Sequence, residues 1–191
     1  QGVGNAVGMA LAEKINKTDA CVYCLCSDGD LMEGVAQEAI ALAGRYKLNN
    51  LVLMWDDNGI SIDGRALTDV DVPARMVAAG WKVLSVDGHD YVRINRALEN
   101  AKKSDVPVFV QCKTEIGQGT SVAGTSKAHG FGVGDAELMQ LVQKFISVCG
   151  DELWRNVAME QMPVVSGETK YELPHVALPA VADKISTREL S

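Results

Sequence analysis

Little in this 191-residue chain suits a membrane, a nucleic acid or a disulfide scaffold. No apolar run approaches the roughly 18 residues that span a bilayer. Basic residues are the minority: 18 Lys and Arg against 25 Asp and Glu leave a net charge of -7. That balance argues against a broad nucleic-acid or anionic-membrane surface. A local anion site made of backbone N–H groups stays compatible with it. There are only five cysteines, Cys21, Cys24, Cys26, Cys112 and Cys149. Their odd count and irregular spacing exclude an evident disulfide framework. No second Cys/His pair follows the first three at zinc-ligand spacing. The three are therefore read as small core residues of a strand. Reducing conditions fit this usage, so a cytoplasmic setting, or an organellar one, is expected. No internal repeat and no signal-peptide pattern is visible.

What is present is apolar enough, at 47%, for one α/β domain with a substantial core. "GVGNAVGMALAEKI" (2–15) has small residues at helical spacing. Its glycines cost roughly 1 kcal/mol each against Ala, which makes sense where something packs close. "ACVYCLC" (20–26), "NLVLMW" (50–55), "WKVLSV" (81–86) and "VPVFVQCK" (106–113) read as buried strands. Helices are expected over 34–48, 71–80, 90–104 and 135–150. The first of these places Val35, Ala39, Leu42, Ala43 and Tyr46 near one face. Asp90 is a natural N-cap, and Gly80 sits where a helix stops. Near-continuously apolar strands alternating with helices indicate a parallel sheet covered on both faces. Ligands of such sheets bind at the strands' carboxyl ends. The informative loops are then 27–33, 56–64, 87–90 and 114–134. Residues 150–191 hold Pro163, Pro174 and Pro179 with little periodicity and read as a linker. Both ends look cut, so a longer or split polypeptide is expected.

Two of these loops carry chemistry. "CSDGDLMEG" (26–34) crowds Asp28, Asp30 and Glu33 into one turn, where carboxylates repel unless a cation or water compensates. "WDDNGISIDG" (55–64) brings Asn58 thirty positions after Asp28. A carboxylate and an amide oxygen suit Mg²⁺ or Ca²⁺, and Mg²⁺ leaves coordination positions for phosphate oxygens. Gly29 lets backbone approach a phosphate closely. Taken alone, Asp28 also fits a helix N-cap, Glu33 a solvated loop carboxylate and His129 an exposed loop residue. His89, at another carboxyl end, reads as a turn residue, and Trp55 and Trp81 read as packing residues.

An Asp-Gly pair followed some thirty residues later by Asn resembles the thiamine-diphosphate fingerprint. "DGDLMEG", "QEAIALAGRYKL", "DDNGISIDG", "GWKVLSVDGHD" and "KTEIGQG" together resemble the transketolase family over residues 1–149. "KISTREL" resembles the start of that family's next, aminopyrimidine-binding domain. The resemblance implies a diphosphate-domain fold, a parallel sheet flanked by helices, over 1–149, with 150–191 as a linker. It implies thiamine diphosphate with Mg²⁺ or Ca²⁺, held by Asp28, Asn58 and the Ile60 carbonyl. Gly29 would contact the diphosphate, Ile60 and Ile116 would flank the thiazolium, and His129 would stand beside diphosphate and substrate. Glu33 would belong to a relay at a subunit interface. The implied partners are sugar phosphates and a second subunit, as a homodimer or a complementary chain with the aminopyrimidine-binding domain. The implied reaction moves a two-carbon ketol unit from a ketose phosphate to an aldose phosphate. A dihydroxyacetone synthase, a dehydrogenase E1 component and a non-catalytic subunit of the same fold are the alternatives.

The chain departs from the fingerprint twice. Ser27 stands where the first Gly of GDG is usual, and Asp57 where the first Asn of NN is usual. A side chain at 27 is expected to crowd the diphosphate. The family's upstream histidines and its cofactor-activating glutamate have no counterpart in this sequence.

Overall fold

The computed structural model describes residues 1–67 and 69–150, so the expected linker lies outside the described residues. A compact unit, Gln1–Lys144, holds the sheet. Helix α1 (Gly2–Asn16) leads into β1 (Val22–Ser27), a short α2 (Asp28–Met32) and α3 (Gly34–Arg45). Then come β2 (Leu51–Asp57), a small hairpin of β3 (Ile60–Ser61) and β4 (Gly64–Arg65), and α4 (Val72–Ala78). β5 (Lys82–Asp87), α5 (Tyr91–Ala101), β6 (Val108–Lys113) and α6 (Asp135–Cys149) complete the order. Four strands form one parallel sheet in the order β1-β2-β6-β5. The register pairs Ser27 with Asp56, and Lys113 with both Asp57 and Asp87, so the carboxyl ends finish level.

The strands sort their side chains by alternation. Leu51, Leu53, Trp55 and Phe109 face a core shared with Val3, Val7 and Ala10 of α1, Ile40 and Ala43 of α3, and Met76 of α4. The indole of Trp55 stacks on Phe109 with ring centroids 5.8 Å apart. Trp81 is also buried and donates its indole N–H to the Ile40 carbonyl at 2.9 Å. On the opposite face, Val52, Val108, Val110 and Cys112 pack on Ala97 and Ala101 of α5. Among the described residues that cover does not reach β1, where Leu25 is 76% and Tyr23 46% exposed. Helices thus flank both faces as expected, and among the described residues β1 is left uncovered on the α5 side.

Local sequence sets several boundaries. Asp90 caps α5 by accepting the N–H groups of Val92 and Arg93, both at 3.0 Å. Asp71 caps α4, accepting from Ala74 N at 2.9 Å, with Pro73 in the first turn. Gly80 adopts φ 86°, beyond that helix's end.

Four expectations need correcting. The 27–33 loop contains a helical turn, α2. The buried stripe of α3 is Ala36, Ala39, Ile40, Ala43 and Gly44, while Val35, Leu42 and Tyr46 are exposed. Those buried positions follow i, i+3, i+4, i+7, i+8 exactly as a helix face requires, with small residues where α3 meets α1. Cys21 is exposed and precedes β1, so among the cysteines whose burial is described Cys26 and Cys112 behave as core residues, with Cys24 half-buried. The glycines of α1 face open space among the described residues; the close approach falls at Gly44, where a Cβ would lie 1.7 Å from the Ala79 carbonyl oxygen.

Candidate functional site

The site is built at the carboxyl edge, where β1, β2 and β6 release their chains. A cavity of about 540 Å³ opens there. Gly29, from α2, lines it with Asn58 and Ile60 from the turn after β2. Ile116 and His129, from the long segment after β6, close it. Five residues expected at one site are thus brought together from three loops. Asp28 lies beneath this lining, completely buried, and Glu33 stands outside it, exposed.

Asp28 is held there by the chain's own geometry. It is the first residue of α2, behind an N-cap that is Ser27 and not Asp28 itself. The Ser27 hydroxyl donates to Asp30 Oδ2 at 2.9 Å and accepts the Asp30 N–H at 3.3 Å. Asp30 Oδ2 also accepts the Ser27 N–H at 2.8 Å, which completes a capping box. This accounts for Asp30 and gives the Ser27 hydroxyl a partner within the protein.

Asp28 Oδ2 accepts the Gly59 N–H at 3.1 Å, tying the β1 end to the β2 end. Its other oxygen, Oδ1, is buried and has no hydrogen-bond partner, and the same holds for the indole N–H of Trp55. Burial raises the carboxyl pKa above the usual aspartate value, and the nearby Asp57 carboxylate raises it further. The Gly59 N–H pulls the other way, as do the nearby Asn58 N–H and Trp55 indole N–H, which approach the carboxylate without making a well-formed hydrogen bond to it. An unpartnered buried carboxylate oxygen is costly and calls for compensation.

Gly29 has no positive φ, and a Cβ there would meet only Ser27 Oγ, at 3.8 Å. Neither backbone conformation nor internal packing demands a glycine. The space a side chain would take opens toward the cavity that Gly29 lines. Asn58 Oδ1 accepts the Ile60 N–H at 2.9 Å, which shapes the turn into the β3–β4 hairpin. His129 is exposed at the end of a 3-10 turn over Ser126–Ala128, its N–H bonded to the Ser126 carbonyl at 3.1 Å. His89 is a turn residue as expected, but its Nε2 also accepts the Glu115 N–H at 3.1 Å. No cluster of three His, Cys, Asp or Glu placed to hold a metal occurs among the described residues. No helix among them is long and apolar enough to cross a membrane.

Several lining residues lie inside the quoted motif without a role assigned from it. Ser61, Ile62 and Asp63 reach the cavity through the hairpin, and Asp56 through the last residues of β2. Gln111 and Thr114 bind the two aspartates beside Asn58 from the neighbouring strand. Their signal was the strand order, which residue spacing along the chain does not carry.

Comparison with known proteins identifies the family of the chain. A family model described as "Transketolase, thiamine diphosphate binding domain" matches residues 1–148. The transketolase of Rhodobacter capsulatus is 50% identical over 148 residues, covering 72% of this chain and 22% of that protein. A solved transketolase from Campylobacter jejuni superposes with a TM-score of 0.68 at 44% identity, covering 71% of this chain and 23% of that one. A Pichia stipitis transketolase solved with sedoheptulose-7-phosphate gives 0.67 at 38% identity, covering 75% and 23%. The chain thus spans under a quarter of the length of these relatives. Parallel sheet, carboxyl-edge cavity and matched motifs together define a thiamine-diphosphate-binding α/β domain. The chain belongs to the transketolase family.

Proposed function

We propose that this chain supplies the diphosphate-binding side of a transketolase active site. The reaction is transfer of a two-carbon ketol unit from a ketose phosphate to an aldose phosphate. The observation that carries the reading is the buried, unpartnered Asp28 Oδ1, on a residue that precedes the cavity-lining Gly29 and accepts the Gly59 N–H between cavity-lining Asn58 and Ile60, in a cavity that also gathers Ile116 and His129. The residues fit a divalent cation, Mg²⁺ or Ca²⁺. Asp28 offers an anionic oxygen, Asn58 an amide oxygen with a second lone pair, and Ile60 a backbone carbonyl. Three protein ligands are few, which suits a cation completed by diphosphate oxygens. Bound thiamine diphosphate supplies the carbon nucleophile and electron sink that ketol transfer needs.

The chain's own residues bind and orient. Gly29 leaves room for phosphate oxygens against the backbone. Ile60 and Ile116 present apolar walls to the thiazolium ring. His129, exposed at the cavity, is placed to hydrogen-bond diphosphate or substrate hydroxyls. Sugar phosphates are the proposed substrates, supported by the sedoheptulose-7-phosphate in the Pichia stipitis relative. Residues 1–149 are proposed as the diphosphate domain and 150–191 as a linker toward an aminopyrimidine-binding domain. Glu33 is proposed at the interface with a second subunit, supported by its exposure between exposed Met32 and Val35. A cytoplasmic setting is proposed from the free cysteines.

The test is calorimetric thiamine diphosphate binding and a ketol-transfer assay on the intact enzyme, wild type against Asp28→Ala and Asn58→Ala. Loss of Mg²⁺-dependent binding and of transfer in both variants is expected. Unchanged Mg²⁺ dependence would overturn the assignment.

A further inference from the structure

Asp56 and Asp57 end β2 and Asn58 follows them; the chain of β6 and its continuation binds the two aspartates differently. Asp57 Oδ2 accepts the Gln111 side-chain N–H at 2.6 Å. Asp56 Oδ1 accepts the Thr114 hydroxyl, and Asp56 Oδ2 accepts the Asn58 side-chain N–H at 3.4 Å. Thr114 is itself fixed. Its N–H continues the sheet to the Asp57 carbonyl at 3.0 Å. Its methyl occupies the space over Gly88, where a Cβ would lie 2.4 Å from Thr114 Cγ2. Gly88 has no positive φ; the threonine methyl, with the Lys113 carbonyl oxygen 3.0 Å and Cys112 Cβ 3.3 Å from the same point, leaves room only for a glycine. A β-branched side chain is restricted at χ1, and with the methyl placed there its hydroxyl bonds Asp56.

The consequence falls on Asn58. Its amide has an acceptor-only carboxylate on one side and a donor-only backbone N–H, that of Ile60, on the other. A flipped amide would set oxygen against oxygen and N–H against N–H, so these partners specify the orientation. Asn58 Oδ1 keeps a second lone pair after accepting from Ile60. Asp56 lines the cavity, yet both its oxygens are already engaged.

We propose that Asp56, held by the Thr114 hydroxyl, is a positioning residue that sets the Asn58 amide with its oxygen available to the metal–diphosphate site. This rests on the cation reading of Asp28 and Asn58. Groups that orient a metal ligand commonly change metal affinity by 10- to 100-fold on removal.

The experiment titrates Mg²⁺ against thiamine diphosphate binding in the intact enzyme by calorimetry, with the unfolding temperature of each metal-free variant alongside. Thr114→Val keeps the wedge over Gly88 and removes the hydroxyl; it should raise the half-saturating Mg²⁺ concentration about tenfold. Thr114→Ser keeps the hydroxyl without the methyl that aims it and should lose clearly less than Thr114→Val. Asp56→Ala should lose at least as much as Thr114→Val, and the double variant no more than Asp56→Ala, because the two act in series. Unfolding temperatures should stay close to wild type, since Asp56 is exposed. If Asn58→Ala alters the Mg²⁺ dependence but Thr114→Val and Asp56→Ala do not, the positioning role is wrong and the cation site stands. A Thr114→Ser loss equal to that of Thr114→Val also overturns it, because the hydroxyl would not be what matters. If Asn58→Ala leaves the dependence unchanged, the cation reading fails and this inference with it.

Discussion

Asp28 and Gly59 are joined by one hydrogen bond, from the Gly59 N–H to Asp28 Oδ2 at 3.1 Å, although 31 positions separate them in the chain. That bond uses one oxygen of a buried carboxylate and leaves the other, Oδ1, without a partner. It locks the helical turn after β1 to the turn after β2, and Asn58 and Ile60 flank Gly59 in that second turn.

Asp28 makes the metal-free protein pH-dependent. Its folded-state pKa is raised, first by burial and then by Asp57, so the folded chain holds this proton more tightly than the unfolded chain. Its contribution to stability is therefore fully present below the ordinary aspartate value. It is lost as pH rises from there through the raised folded value. Asp28→Asn should give a metal-free protein at least as heat-stable as wild type at neutral pH, the difference vanishing in acid. The same variant should lose Mg²⁺-dependent cofactor binding. Thermal unfolding across pH, paired with calorimetric binding, checks both; a variant less stable than wild type at pH 7 would contradict the burial argument.

Ser27 caps α2. Ser27→Ala should lower stability by about 1 kcal/mol and Ser27→Gly by only a few tenths, as N-cap replacements do. Cofactor binding should be at least as tight in Ser27→Gly as in wild type, because a side chain lining the cavity is removed. Denaturant midpoints and a binding isotherm measure the two effects. Weaker binding in Ser27→Gly would make the hydroxyl a phosphate ligand.

Gly44 sits where α3 meets the chain leaving α4. A Cβ there would lie 1.7 Å from the Ala79 carbonyl oxygen and 3.5 Å from Trp81 Cδ1. The obstacle is backbone, which cannot rotate away. Gly44→Ala should destabilise the protein by about 3 kcal/mol or more, at the upper end for overpacking. It should also disturb the Trp81 indole bond to Ile40, visible as a changed fluorescence maximum. Gly4→Ala, on an open surface of α1, should be neutral or stabilising by up to roughly 1 kcal/mol.

His129 is exposed in a loop, so its removal should leave the fold intact. His129→Ala is expected to lower kcat/KM for ketol transfer at least tenfold, about 1.4 kcal/mol of transition-state stabilisation. Steady-state kinetics with a ketose phosphate donor tests this, with an unchanged unfolding temperature as the control. Full activity would remove His129 from the site.

Much of the fold was legible in the residues. β2 reads directly because "LVLMW" lies between two hydrogen-bonded neighbours and is apolar on both faces. Asp90 was legible as a cap because its role is local. α2 was not, since five residues are too few to show helical periodicity, and the Ser27–Asp30 capping box decides it. The apolar face of α3 was misplaced because Val35, Leu42 and Tyr46 look like core residues by type. The small residues Ala36, Ala39 and Ala43 occupy the core because α1 approaches there.

By itself the sequence determined the alternation of strand and helix, the parallel sheet and the motif residues, because hydrophobic pattern, capping and turn chemistry act over a few neighbouring positions. It also determined that Asp28 and Asn58 carry oxygen donors. Only the tertiary structure decided that Asn58 lines one cavity with Gly29, Ile116 and His129, 100 residues from Gly29, and that Asp28 is buried with a bond to the Gly59 N–H beside Asn58. The order β1-β2-β6 does this: inserting β6 beside β2 lays Thr114 against Asp56 and Gln111 against Asp57. The burial of Asp28 and the engagement of Asp56 Oδ1 by Thr114 are likewise tertiary, because desolvation and hydrogen-bond geometry depend on what the fold sets alongside each group.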